Sequence, residues 1–198
     1  MDRQDVIHWS ATPTRWRRFP CCNVLAIVAL TSVGCSRCNP SSESEPAVSG
    51  SLTLSSEQQA ILGPIAPVLE HNSADCAVCA INNCKPQIER CNTIPGNADA
   101  GPAMGRPKSQ LCMETLDCLI KSRCVNRSTA MQCYCGTAFG VDCLSGAGNG
   151  SCKRKLEVGM ETTNSSTVLT KYDDKEKGAG VAIDLAMCLI TRKCHMCL

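Results

Sequence analysis

The side chains best equipped for chemistry in this chain are its cysteines, 18 of 198 residues. Fourteen lie from residue 76 onward: Cys76, Cys79, Cys84, Cys91, Cys112, Cys118, Cys124, Cys133, Cys135, Cys143, Cys152, Cys188, Cys194 and Cys197. Cysteine at this density belongs to a disulfide scaffold or to a metal-cluster protein. An even number permits seven bridges with no thiol left over, although sequence alone does not give the pairing. Cys76-x2-Cys79 and Cys194-x2-Cys197 have zinc-ribbon spacing, and two such pairs could close a tetrahedral all-thiolate site. Cys194-His195-Met196-Cys197 also has the spacing of thiol–disulfide oxidoreductases. Those enzymes place the first cysteine at a helix N-terminus, where the dipole lowers its pKa. Here it falls at the C-terminal end of a predicted helix, with no βαβ pattern around it. Covalent haem attachment needs Cys-x-x-Cys-His, but Ala80 and Leu198 follow the two motifs.

Hydrolytic chemistry is poorly supplied. Beyond residue 34 the histidines are His71 and His195, and neither Gly-x-Ser-x-Gly nor His-Glu-x-x-His occurs. Asp173 and Asp174 read as a solvated helix face. The expectation is a non-enzyme with no cofactor and no metal, its cysteines structural. The alternative is a metal-binding or thiol-redox protein using the pairs Cys76/Cys79 and Cys194/Cys197.

Helical geometry favours disulfides. Cys112, Cys118 and Cys124 are each six residues apart on a predicted helix. At about 100° per residue, six steps leave about 240° net. The three sulfurs then point in three directions, which suits ties to three separate neighbours and not one metal.

Compartment bears on the same choice, because disulfides persist in oxidising places. Arg15, Arg17 and Arg18 precede an uncharged stretch from Phe19 to Gly34, centred on the apolar run Val24–Leu30. This has the length of a secretory signal core and is short for a membrane span. Residues 1–34 therefore read as a signal peptide. Ser32-Val33-Gly34-Cys35 looks like a bacterial lipobox, in which Cys35 is acylated and becomes the new N-terminus, although Leu or Val is usual where Ser32 stands. Plain secretion is the alternative, and Cys38 is left as an odd cysteine. Residues 35–56, rich in Ser, Pro, Glu and Gly, read as the lipidated cysteine followed by a disordered tether.

Four of the 20 Lys+Arg and two of the 18 Asp+Glu precede Cys35, leaving 16 of each. That neutrality removes any global electrostatic argument for nucleic acid. Lys153-Arg154-Lys155 is the one basic cluster and reads as a solvated face.

The elements that must position the cysteines come next. Residues 57–73, broken by Gly63, Pro64 and Pro67, read as a broken helical lead-in, and 74–198 as the cysteine-rich domain. A helix over Cys76–Cys84 should stop or kink at Pro86. Pro95–Pro107 reads as a loop. A second helix starts near Ser109 as N-cap, with Cys112, Leu116, Leu119 and Ile120 forming one stripe. From Cys133 to Cys152, four cysteines among glycines read as a compact stapled loop with a short hairpin near Tyr134. It lacks the Lys-Ser/Thr ending of a P-loop. Polar helices over Leu156–Thr163 and Ser166–Lys177 should precede the best helix, Ala179–Met196. Cys118-Leu119-Ile120 to Cys124 is echoed by Cys188-Leu189-Ile190 to Cys194. After residue 34 only Tyr134, Phe139 and Tyr172 are aromatic, so the core is poor in large side chains and cross-links must help offset chain entropy.

Cys133-Tyr134-Cys135-Gly136, Asn149-Gly150-Ser151-Cys152 and the closing Cys-x5-Cys-x2-Cys resemble cysteine-rich lipoproteins of myxobacteria. That resemblance covers a little under half of the chain. It implies a cell-envelope location, as an outer-membrane lipoprotein or a secreted protein, and no activity. The fold expected is all-α: a small disulfide-rich helical domain with a stapled Gly/Cys loop. Its partner is an unknown protein or envelope component, with the membrane reached through the lipid.

Overall fold

The computed structural model describes residues 53–71, 73–125 and 130–197. The signal peptide, Cys35, Cys38 and most of the tether lie outside the described residues. Among those described, every regular element is helical, and one isolated antiparallel bridge joins Asn97 to Pro107. The all-α, disulfide-rich fold is therefore as expected.

The lead-in is a broken helix. α1 (Ser56–Leu62) starts from a capping box: Ser55 Oγ accepts from the Gln58 N–H, and Gln58 Oε1 accepts from the Ser55 N–H. Gly63 and Pro64 end it in a 3-10 turn, and α2 (Ala66–Glu70) follows with Pro67 in its first turn, where no N–H is missed. Leu62, Ile65 and Leu69 are fully buried against α3, in the same core as the cystines.

α3 (Ala74–Thr93) is capped by Ser73, whose hydroxyl accepts from the Cys76 N–H at 3.0 Å. Pro86 does not stop it. The ring removes one N–H and crowds the carbonyl four residues back, and the chain kinks at Cys84 (φ −128°, ψ 23°) before continuing to Thr93. The Pro95–Pro107 loop folds back on itself through Ala98 N–H to Arg106 O and Gly105 N–H to Ala98 O, both 2.8 Å.

α4 (Lys108–Ser122) buries Leu111, Cys112, Leu116, Leu119 and Ile120. Its start differs from expectation. Pro107, not Ser109, is the N-cap residue and offers no side-chain cap; the Lys108 N–H instead reaches Gly96 O at 3.1 Å. α5 (Ala130–Cys135) overturns the expected hairpin at Tyr134. Two helical steps set Cys133 and Cys135 about 200° apart, so each bridges to a different side. A short turn α6 (Gly140–Asp142) and a wider turn over Cys143–Ala147 complete the stapled loop.

α7 (Lys153–Gly159) begins three residues earlier than expected. α8 (Ser165–Thr170) is capped by Asn164 and ends well short of Lys177. Asp173 and Asp174 thus lie in a turn and not on a helix face. Asp174 Oδ1 accepts from the Glu176 N–H, the local competition that makes Asp a poor helix-interior residue.

α9 (Gly178–Thr191) is apolar almost all round and lies centrally, packed against α3, α4 and α7. The close crossing with α4 requires Gly178, because a Cβ there would lie 2.7 Å from Leu111 Cβ. α9 ends at Thr191 and not Met196. Lys193 turns left-handed (φ 59°), which brings Cys194 and a final 3-10 turn (His195–Cys197) back to α3.

Candidate functional site

All fourteen described cysteines are bonded, in seven disulfides with Cα–Cα distances of 4.8–5.9 Å. Cys76–Cys197, Cys79–Cys194 and Cys84–Cys188 are three nested rungs between the antiparallel α3 and α9 region. The two Cys-x-x-Cys motifs do meet, as a shared metal site would require, but the sulfurs are joined crosswise into cystines. Cys91–Cys112 ties α3 to α4, and Cys118–Cys152 ties α4 to the start of α7. Cys124–Cys133 and Cys135–Cys143 close two short loops. Cys112, Cys118 and Cys124 indeed reach three separate neighbours. The helical premise fails for Cys124, however, since α4 ends at Ser122 and Arg123 is left-handed (φ 52°). Seven cystines place the folded chain in an oxidising, extracellular or envelope compartment.

The bonded cysteines hold up one conspicuous surface. Cys135–Cys143 closes a loop at whose tip Phe139 is 89% and Val141 79% exposed. Met131, which lines a shallow hollow with Phe139, and Leu144 are each 48% exposed. The base of this loop is fixed. Backbone hydrogen bonds join Gly150 N–H to Tyr134 O and Cys152 N–H to Cys133 O, both 3.0 Å, and Asn149 N–H to Cys135 O, 3.1 Å. Asn149 then folds over the loop entrance: its Oδ1 accepts from the Thr137 N–H, and its Nδ2 donates to Thr137 Oγ1, each at 2.9 Å. Gly136 (φ 62°) is required there, because a Cβ would lie 2.3 Å from Asn149 Oδ1. Below the loop Tyr134 is buried. Its hydroxyl donates to Glu157 Oε1 (3.0 Å) and lies 2.9 Å from Ser165 Oγ, tying α5 to α7 and α8. Burial, and then the Glu157 carboxylate, push its pKa above the ordinary tyrosine value.

Sequence reasoning missed one buried charged centre. Glu161 follows α7 in a left-handed conformation (φ 58°), with its side chain 1% exposed. Its Oε2 accepts from Lys177 Nζ (2.8 Å) and from the Asp99 N–H (3.1 Å), and Lys108 Nζ stands 3.9 Å from Oε1. Lys177 also reaches Asp99 Oδ1 at 3.3 Å. Burial alone would lower the Lys177 pKa; the carboxylates of Glu161 and Asp99 outweigh it and hold it above its ordinary value. This network pins the 96–107 loop to the turn after α7. A lone glutamate between Met160 and two threonines carries no sequence signal of burial.

His71 and His195 are both exposed. No protein-family model, curated protein or solved structure matches this chain.

Proposed function

We propose that the chain is an exported, non-catalytic binding module, held to a bacterial envelope by a lipid on Cys35, whose contact element is the cystine-closed loop bearing Phe139 and Val141. One observation carries the reading: Phe139, one of three aromatic residues beyond residue 34, stands 89% exposed on a covalently closed loop. An aromatic ring in water gains nothing for folding, and rings are over-represented among residues that anchor interfaces. Closing the loop with Cys135–Cys143 and clamping its base removes ordering cost before any partner arrives.

The occupant we assign is a protein with an apolar pocket. The exposed apolar side chains here are few (Phe139, Val141, Met131 and Leu144), too few to give the surface a stable self-dimer needs. Exposed Asp142 beside Val141 is costly to bring into a bilayer, whereas a protein rim can pair it. The non-catalytic reading is supported by the cystines, which leave no described thiol free as nucleophile. The envelope location follows the signal-like N-terminus and the resemblance to myxobacterial lipoproteins, with plain secretion as the alternative.

The test is a photo-crosslinking residue at position 139 of the full chain in the producing cell. A single protein adduct, lost when Val141→Asp is added and absent when the probe sits at Met187 on α9, is the expected result. Adducts to lipid alone, or none, overturn the assignment. The mass of the purified chain decides the anchor: a diacylglyceryl adduct on Cys35 supports it, and an unmodified Cys35 or cleavage elsewhere sinks it.

A further inference from the structure

A second surface, separate from the apolar tip, collects charge. The 101–106 turn, α4 and the start of α7 enclose a cleft of about 770 Å³, lined among others by Arg106, Glu114, Ser151, Lys153, Arg154 and Lys155. The basic run Lys153-Arg154-Lys155, expected as a solvated face, therefore forms part of a concave wall. Four cations face two carboxylates, Glu114 and Glu157, in this cleft. The local excess is positive in a chain that carries equal charges beyond residue 34.

The cations are held in place and not spent. Glu114 Oε1 accepts from Arg106 Nη2 and, at 3.1 Å, from Gln110 Nε2, while its Oε2 accepts from Lys155 Nζ at 3.0 Å. One carboxylate thus orients two cations that come from different elements. Burial would raise the Glu114 pKa, but Lys155 and Arg106 outweigh it and keep the group ionised, below its ordinary value. A guanidinium has five N–H donors and an ammonium three, so Arg106 and Lys155 keep donors to spare. Lys153 Nζ donates to Gly146 O at 2.6 Å, stands 3.9 Å from Glu157 Oε1 and lies over the Tyr134 ring. Arg154 is exposed and makes no ion pair or hydrogen bond among the described residues.

We propose that this cleft binds a phosphoryl group, carried on a sugar or free, with Arg154 as its direct ligand and Arg106 and Lys155 as preoriented partners. The excess of two positive charges matches a dianion. A guanidinium fork suits phosphate bidentately, and a carboxylate already holding two cations supplies the preorganisation. The volume exceeds what a phosphate alone fills and falls in the range of small-ligand sites. The Ser151 hydroxyl at the wall serves a sugar hydroxyl.

The test is calorimetric titration of the oxidised full chain with glucose 6-phosphate, inorganic phosphate and glucose. Saturable binding of glucose 6-phosphate, weakened about tenfold by Arg154→Glu and unchanged by Arg90→Glu on α3, is expected. Affinity should fall as salt rises, and glucose should not bind. Tighter binding of the sugar phosphate than of phosphate assigns a phosphorylated sugar; equal binding assigns the phosphoryl group alone. No saturable binding of either phosphate overturns the proposal. So does binding that Arg154→Glu leaves intact, or that Arg90→Glu weakens equally, since the latter would report net charge. Arg154→Gln, which keeps size and loses charge, separates a lost contact from a disturbed fold.

Discussion

Glu161 shows how a single charged side chain can fix two distant segments of this chain. Removing it leaves Lys177 and Lys108 facing each other without their shared counter-charge. Breaking a buried pair by deleting one partner is costly, about 3 kcal/mol. Glu161→Ala should therefore lower stability by about that amount in urea unfolding at neutral pH, and Glu161→Gln by less, because the amide still accepts from the Asp99 N–H. A loss below about 0.5 kcal/mol for the alanine variant would show the network to be ornamental. The pH dependence has a definite sign. The Lys177 pKa is raised in the folded state. Its contribution is complete below the unfolded value, about 10.5, and is lost as pH rises through the folded value. Stability of the wild type should fall as pH rises above the ordinary lysine value of about 10.5, with a shallower fall in Glu161→Gln. Tyr134, also raised, weakens the fold over the same alkaline range in both proteins, so the difference between them isolates Lys177. Tyr134→Phe removes a buried hydroxyl with two partners and should cost about 1–2 kcal/mol. Phe139→Ser, by contrast, should leave stability within about 0.5 kcal/mol, as expected for a side chain that makes its contacts elsewhere.

At the scale of elements, the α3–α9 pair is held by redundancy. Cys79–Cys194 spans 115 residues, and a lone cross-link of that reach would contribute about 5 kcal/mol through loop entropy. With Cys76–Cys197 and Cys84–Cys188 in place, the loop it closes is only a few residues on each strand of the ladder. Replacing Cys79 and Cys194 together by Ala should then cost only about 2–3 kcal/mol. Removal of the outer rung as well should cost more than twice as much, since the remaining loops lengthen. Chemical denaturation of the two variants decides it, and a loss near 5 kcal/mol for the single rung would mean that the rungs act independently. Gly178→Ala should destabilise by about 1–3 kcal/mol, because the new methyl meets Leu111 Cβ at 2.7 Å in a crossing with no slack.

The ladder was partly legible. Cys76-x2-Cys79-x4-Cys84 and Cys188-x5-Cys194-x2-Cys197 are near mirror images in spacing, as two antiparallel helices facing each other demand, yet the meeting of the two Cys-x2-Cys pairs suits a shared metal site as well as crossed cystines. The echo between Cys118–Cys124 and Cys188–Cys194 has a comparable explanation. Both are helix C-termini in which Leu119 and Leu189 are buried. The left-handed residue before the second cysteine, Arg123 or Lys193, donates its N–H to Ile120 or Ile190. Their disulfide partners differ, so the echo is two helices ending in the same way. The stripes of α4 and α9 were readable because their periodicity is local. The helical state of Cys133–Cys135 was not, because glycines and cysteines nearby outvote six residues whose conformation is set by two cystines. Nor could the exposure of Phe139 be read, since an aromatic residue in a sequence carries no mark of which way it faces.

At the scale of the folded domain, stability must come from a core that, among the described residues, is aliphatic with one buried aromatic ring, Tyr134, interleaved with cystine sulfur. Alanine and glycine fill much of α9, which buries less area per residue than the leucine- and phenylalanine-rich helices of ordinary domains. The unfolded chain carries the entropy of its full length when its sulfurs are free, and each cystine removes part of that entropy. The fold should therefore be conditional on oxidation. Intact mass should rise by about 14 Da on reduction of the folded chain, two hydrogens for each of seven bridges. Helical circular dichroism should collapse with it, cooperatively, at neutral pH. Re-oxidation should restore the helices, and zinc added to the reduced chain should not. The zinc arm separates two ways of using the same geometry, because the structure brings Cys76, Cys79, Cys194 and Cys197 to one end of the α3–α9 pair. If zinc restored the helices, those four thiolates would be acting as ligands and the cystine ladder would be dispensable there. If the reduced chain stayed helical without metal, packing of α9 between α3 and α4 would suffice alone, and the seven bridges would serve durability outside the cell and not folding.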